Sequence, residues 1–224
     1  MASKAFKRKQ RVKEFKSGNA PQNQKLNVRR IILISLVVLA VVFLVVLFAT
    51  KKPFTPGIES SPMTGPVDAK VTFIEFGCYT CPYTKQFNTQ TLPQLMREYN
   101  GKVNFVFRSV PIYRNAGANL AHEAALCANE QGKFWEYSNQ LFLGPSQYDE
   151  NLLRSYTEML GMEQDTFNNC VSSRRYKDKV RADYSDAKKA GVATTPTVFI
   201  NGFKVVGAHD VQIYRNIIDN MLEN

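Results

Sequence analysis

Two cysteines three residues apart, in the run Cys78-Tyr79-Thr80-Cys81-Pro82-Tyr83-Thr84, are the residues of this chain best suited to chemistry. A thiol pair at that spacing can hold a metal ion or can form and break a disulfide. A closed zinc site takes four ligands. The other two cysteines, Cys127 and Cys170, are far apart in sequence, and the only histidines, His122 and His209, form no ligand-like cluster with them. Zinc is therefore not expected, and thiol–disulfide exchange is the chemistry left. Which sulfur reacts depends on where the next helix starts. Proline is favoured at the first helical position, where its missing N–H costs nothing. That choice makes Pro82 the first helical residue and Cys81 the N-cap, beside free backbone N–H groups and the positive end of the helix dipole. A helix N-terminus lowers a cysteine pKa and supplies thiolate, the nucleophilic form. Cys81 is the expected nucleophile and Cys78, on the approach loop, its partner.

The elements that must position this pair follow from pattern and punctuation. Val71–Phe76 (VTFIEF) is rich in β-branched and aromatic residues and reads as a buried strand leading into the cysteines. Pro82 to about Tyr99 is helical, with Pro93 expected to kink it. Val103–Val110 is a second strand. From Asn115 to Ala190 the patterns are helical: Ala118–Gln131, Phe134–Leu143, Asp149–Leu160, Gln164–Ser172 and Tyr176–Ala190, punctuated by Gly132, Gly144-Pro145 and Gly161. Gly132, Phe134 and Trp135 read as turn and core. Thr197–Ile200 and Phe203–Val206 flank Asn201-Gly202, a strong two-residue hairpin signal. Asp210 is a good N-cap for a last helix ending near Leu222. The order βαβ, helical block, ββα places both strand units in one mixed α/β sheet with the helices as an insertion.

Charge and hydropathy divide the 224-residue chain before that domain begins. Its composition, 44% hydrophobic and 21% charged, excludes a collagenous or wholly disordered protein. The formal net charge of +10 suggests nucleic acid until it is located. Residues 1–30 hold ten Lys and Arg against one acid, Glu14, so nearly all the excess sits in a tail and nucleic-acid binding is not expected. Residues 31–49 (IILISLVVLAVVFLVVLFA) carry no charge, and Ser35 is their only polar side chain. A helix of that length roughly matches a ~30 Å hydrocarbon core. A signal peptide has a shorter apolar region and a small-residue cleavage site, which this chain lacks. Positive charge stays on the cytoplasmic side, which orients the N-terminus inward. The expected organisation is a basic cytoplasmic tail touching anionic lipid (1–30), a transmembrane helix (31–49), a Pro/Gly-rich linker (50–66) and an extracytoplasmic domain (67–224) with its helical insertion at about 115–190. All four cysteines fall where disulfides persist.

The strand VTFIEF, Cys81-Pro82-Tyr83, the run CANEQGKFWEYSNQLF, and Gly191-Val192-Ala193-Thr194-Thr195-Pro196-Thr197 before a strand and Asn-Gly turn together resemble the DsbA-like thiol–disulfide oxidoreductases. The resemblance covers about residues 63–222. It implies a thioredoxin fold with a helical insertion and disulfide exchange on exported protein thiols without a cofactor. It also implies reoxidation by a quinone-linked membrane redox partner, and a bacterial or archaeal surface. It makes Glu75, six positions before Cys81, the acidic residue beneath the site that takes protons during exchange; the other reading is an edge-of-strand carboxylate in water. It puts Thr84 where the family has its second cysteine, so that Cys78 replaces the missing thiol. It makes Thr195-Pro196 the cis-proline pair facing the nucleophile, with Tyr83 and Thr195 as substrate contacts. Alternatives stay open: monothiol chemistry at Cys81 with the Thr84 hydroxyl on its sulfur, a reductase or isomerase direction, and a binding module or holdase without turnover. Cys127 and Cys170, on expected helices, read as a structural disulfide or as two buried thiols, with a relay to Cys78–Cys81 a minor option. His122 and His209 read as surface or capping residues.

Overall fold

A computed structural model describes residues 28–49, 57–111 and 116–223, and divides the chain into two units, residues 1–52 and 53–224. Most of the expected basic tail, and residues 50–56 of the expected linker, lie outside the described residues. In the first unit, helix α1 (Val28–Ala49) runs for 22 residues. Its side chains are described over 31–43, where every one is exposed. Among the described residues no helix is long and apolar enough to cross a membrane.

The second unit is built on a five-stranded sheet of order β1-β3-β2-β4-β5. Its strands are β1 (Met63–Thr64), β2 (Val71–Gly77), β3 (Val103–Ser109), β4 (Thr197–Ile200) and β5 (Phe203–Val206). β2 and β3 are parallel, with Glu75 opposite Phe107, and the other pairs are antiparallel. β3 is buried along its whole length and β2 nearly so, because helices cover both faces. That is why both strands read as continuous apolar runs instead of alternating ones. On one face Phe73, Phe87, Leu95, Tyr214 and Ile218 form a core beneath α3 (Leu92–Glu98) and α9 (Val211–Glu223). On the other, Ile74, Phe76, Val106 and Phe199 pack against Ala187. Between β3 and β4 come helices α4 (Ala116–Asn129), α5 (Phe134–Leu143), α6 (Glu150–Met159), α7 (Gln164–Ser172) and α8 (Lys177–Lys189). The mixed sheet with a helical insertion is the architecture the sequence implied. The insertion has its own core, including Phe134, Tyr137, Leu141, Leu153 and Phe167. Within it Cys127 of α4 and Cys170 of α7 are disulfide-bonded, with Cα atoms 5.8 Å apart.

Two local features differ from the sequence reading. The segment taken as linker supplies a strand: Met63 pairs with Val106 and Thr64 with Phe105, closing the outer edge of β3. The expected helix from Pro82 to Tyr99 is three pieces, α2 (Pro82–Gln86), a π-helical turn (Phe87–Thr91) and α3. Pro93 has no N–H to give the Thr89 carbonyl. The chain widens just before it, and the Leu92 N–H reaches back five residues to the Phe87 carbonyl. The Asn201-Gly202 turn has positive φ at both residues, 44° and 86°, as a two-residue hairpin of this twist requires. Its Asn201 side chain accepts from the Thr72 N–H at 2.8 Å and so pins the turn to β2. Asp210 caps α9, its Oδ1 accepting from the Gln212 N–H at 2.8 Å.

Candidate active site

β2 delivers the chain to the first cysteine, and α2 carries it away from the second. Cys81 is the N-cap of α2 in an extended conformation, with proline at the helix start. The Cys81 N–H donates to the Cys78 carbonyl at 3.1 Å, and this turn folds the two side chains toward each other. Both are free thiols; Cys78 is fully buried and Cys81 partly exposed. The Cys78 thiol hydrogen-bonds the Cys81 sulfur. That bond, aided by the Thr195 and Thr80 side chains and opposed by partial burial, brings the Cys81 pKa down to about 6. The same bond, with burial, pushes Cys78 far up. The pair therefore holds one proton at neutral pH, on Cys78, and presents the Cys81 thiolate to solvent.

Beneath it lies Glu75, 2% exposed, on the face of β2 that also carries Phe73. Burial raises its pKa to about 8, against the pull of Asn88, whose Nδ2 donates to Oε1 at 2.6 Å. The same Asn88 nitrogen donates to the Thr84 carbonyl at 3.0 Å, which ties the acid to the first turn of α2. The reading of Glu75 as a carboxylate in water is thus corrected: both faces of the sheet are covered. Glu75 Oε2 and the Thr84 hydroxyl are buried without a hydrogen-bond partner among the described residues. Thr84 does not bond the Cys81 sulfur, as the monothiol alternative required.

Thr195-Pro196 is a cis peptide, and the Thr195 side chain reaches the Cys81 sulfur. The Pro196 carbonyl accepts from the Gly207 N–H at 2.8 Å. An open groove of about 520 Å³ runs past Cys81, lined by Val110, Pro111, Val192, Ala193 and Thr195 together with Tyr184 and Lys188 of α8. Tyr83, the second residue of α2, is 66% exposed and is not among the groove's lining. Among the described residues no three His, Cys, Asp or Glu side chains are grouped to hold a metal ion.

His209 is exposed and its Nε2 bonds the Val206 carbonyl at 2.8 Å, a capping role. His122 is not at the surface: it is fully buried, with neither ring nitrogen hydrogen-bonded among the described residues, against Tyr79 and Phe107. Its α4 face is chosen by neighbours from distant segments, which spacing along α4 cannot show. Sequence reading also missed Asn88, Tyr79, Ser138 and Tyr148. The single available signal was the position of Tyr79 between the two cysteines.

A family model described as Thioredoxin matches residues 58–220. The chain is 30% identical over 149 residues to a protein of Salinispora arenicola named Na(+)/H(+) antiporter NhaA 1, covering 66% of this chain. It spans only about a fifth (22%) of that relative's length. It is 26% identical over 184 residues to Disulfide bond formation protein D of Bacillus subtilis, covering 75% of this chain and 80% of the relative. The oxidised crystal structure of BdbD from Bacillus subtilis superposes with a TM-score of 0.68 at 26% identity, covering 75% of this chain and 96% of that one.

Proposed function

We propose, from the premise that this chain belongs to the thioredoxin family, that it is a membrane-anchored thiol–disulfide oxidoreductase acting on exported proteins, working as an oxidase through Cys81 and Cys78. The observation that carries the reading is the geometry of the pair: two free thiols, Cys78 buried and Cys81 part-exposed at a helix N-cap, the latter reached by Thr195 of the cis Thr195-Pro196 peptide, with neighbouring hydrogen bonds lowering the Cys81 pKa. The relative named Disulfide bond formation protein D, matched over most of its length, supports the reaction class. The uncharged run 31–49 behind a basic tail supports the anchor.

In the oxidised form, a substrate thiolate attacks Cys81 Sγ. The Cys78–Cys81 bond breaks, Cys78 leaves as a thiolate and takes a proton, and a mixed disulfide joins Cys81 to the substrate. A second substrate thiolate attacks the substrate sulfur of that bond, and Cys81 leaves with the electron pair. The substrate has lost two electrons and two protons; the cysteine pair has gained both electrons and one proton, on Cys78, and the other proton passes to solvent. Cys81 is a good leaving group because its thiolate is stabilised by the Cys78, Thr195 and Thr80 side chains. Glu75, buried and protonated until about pH 8, is placed to exchange a proton as the pair changes charge. Thr195, whose side chain reaches the Cys81 sulfur, and the exposed Tyr83, two residues after Cys81, are placed to meet an extended substrate. The pair is reoxidised by a quinone-linked membrane redox partner that accepts the two electrons.

The test is to equilibrate the protein in glutathione buffers, alkylate, and weigh the peptide carrying Cys78 and Cys81. A disulfide with a potential of roughly −120 to −200 mV is expected. A value near about −270 mV would make it a reductase. No Cys78–Cys81 disulfide at any poise would leave Cys81 acting alone or a binding module.

A further inference from the structure

Tyr79, between the two cysteines, is more deeply anchored than any residue of the active-site loop needs to be for chain connection alone. It is 1% exposed, while its neighbour Thr80 stays partly in solvent. Its hydroxyl and the Ser138 hydroxyl of α5 are hydrogen-bonded at 2.7 Å. Its ring lies 4.5 Å from His122 of α4 and 4.7 Å from Phe142 of α5, centroid to centroid. Its backbone carbonyl, 3.2 Å from the Tyr148 hydroxyl, shares that hydroxyl's one proton with the Leu141 carbonyl at 2.8 Å. Two hydrogen bonds and an aromatic slot thus fix one residue of a short loop to the helical insertion. The residue so fixed is bonded directly to Cys78. Burial keeps His122 neutral, with its pKa down to about 3, so it serves this slot as an aromatic surface.

We propose that Tyr79 is a positioning residue: its anchors to Ser138 and Tyr148 hold Cys78 buried with its thiol turned to Cys81, and the insertion thereby sets the redox balance of the pair. The inference rests on the functional reading only in taking Cys81 as the reacting sulfur. A free Tyr79 would let Cys78 swing, and the hydrogen bond that most stabilises the Cys81 thiolate would weaken. The dithiol form would lose stability relative to the disulfide, and the protein would become a weaker oxidant.

The experiment compares the full-length chain with Ser138→Ala, Tyr148→Phe and the double variant Tyr79→Phe/Tyr148→Phe, which keeps both rings and removes both anchors. For each, three quantities are read: the pH profile of Cys81 alkylation, the disulfide-to-dithiol ratio at a fixed glutathione poise, and the melting temperature. The double variant is expected to alkylate about fivefold more slowly near pH 6, the factor one ordinary hydrogen bond carries, with a higher midpoint and a raised disulfide-to-dithiol ratio. A lowered melting temperature with an unmoved alkylation profile and ratio overturns the proposal and leaves Tyr79 as packing. If the double variant does not fold, Ser138→Ala, which only deletes a hydroxyl from a helix, decides between the same outcomes. Should the wild-type chain form no Cys78–Cys81 disulfide, the oxidase reading fails on its own, and the alkylation profile still decides on Tyr79.

Discussion

The reactivity of Cys81 comes chiefly from its neighbours' hydrogen bonds, and the helix end is secondary. A charge at a helix N-terminus gains about 0.3–1 kcal/mol, less than one pKa unit. A fall from the ordinary value to about 6 needs more than that, even discounted for partial exposure. Cys78→Ala should therefore return the alkylation midpoint of Cys81 most of the way to an ordinary thiol, and Cys81→Ser should abolish exchange altogether. Both are read by iodoacetamide kinetics and a thiol-oxidation assay. Because the folded pKa of Cys81 is lowered, the reduced protein gains stability that is complete above the ordinary cysteine value and is lost as pH falls through about 6. Glu75 has the opposite sign. Its raised pKa favours the folded state fully below about 4.5, and that contribution disappears as pH rises through about 8. Glu75→Gln keeps an acceptor for Asn88 and removes the ionisation. With the cysteine pair held oxidised, so that Cys81 does not titrate, the variant should unfold in urea with a midpoint nearly flat between pH 5 and 8, where the parent declines, and its exchange rate should fall. The place of Cys81 at the helix N-cap was legible because Pro82 marks the helix start. The burial of Glu75 and His122 was not, because Asn88, Phe107 and Tyr79 reach them from separate segments.

Elements with a strong local rule were readable, and those made by pairing were not. Asn201-Gly202 and Asp210 announce themselves because φ and capping are decided within a few residues. β1 has only two residues and no pattern; it is a strand because β3 offers it an edge. The π-helical turn before Pro93 is the chain's accommodation of a missing donor, and proline alone does not say on which side the widening falls. The insertion depends on a longer-range tie. Cys127 on α4 and Cys170 on α7 close a loop 43 residues in span. In the loop-entropy model such a bond contributes about 3–4 kcal/mol. Replacing both cysteines by alanine should lower the unfolding free energy by about that amount in urea titration at neutral pH. Because Tyr79 docks against α4 and α5, the same variant should also alkylate Cys81 with a broader pH profile. An unchanged unfolding midpoint would mean that the contacts of Phe167 and Val171 already hold α7 without the bond.

At the scale of the whole molecule the charge is segregated: a tail of ten bases and one acid precedes an uncharged run, and the rest of the chain is almost neutral. Held at the membrane as proposed, a domain that exchanges disulfides with exported thiols would gain a local concentration that replaces affinity. The basic tail would add up to about 1 kcal/mol per residue close to anionic lipid, and the apolar run far more. Two arrangements compete. In the first, residues 31–49 stay in the protein as an anchor with the N-terminus inside. In the second, they are removed on export and the domain is released. Protease added to intact cells with the outer layers removed should digest the part carrying Cys78 and Cys81 while leaving a protected fragment that contains residues 1–30. The full-length mass should be recovered only in the membrane fraction, resisting high salt and yielding to detergent. A soluble form lacking the first fifty or so residues would overturn the anchor and leave the exchange chemistry untouched. A protected catalytic part would overturn the orientation, and with it the oxidising surroundings the Cys127–Cys170 bond needs.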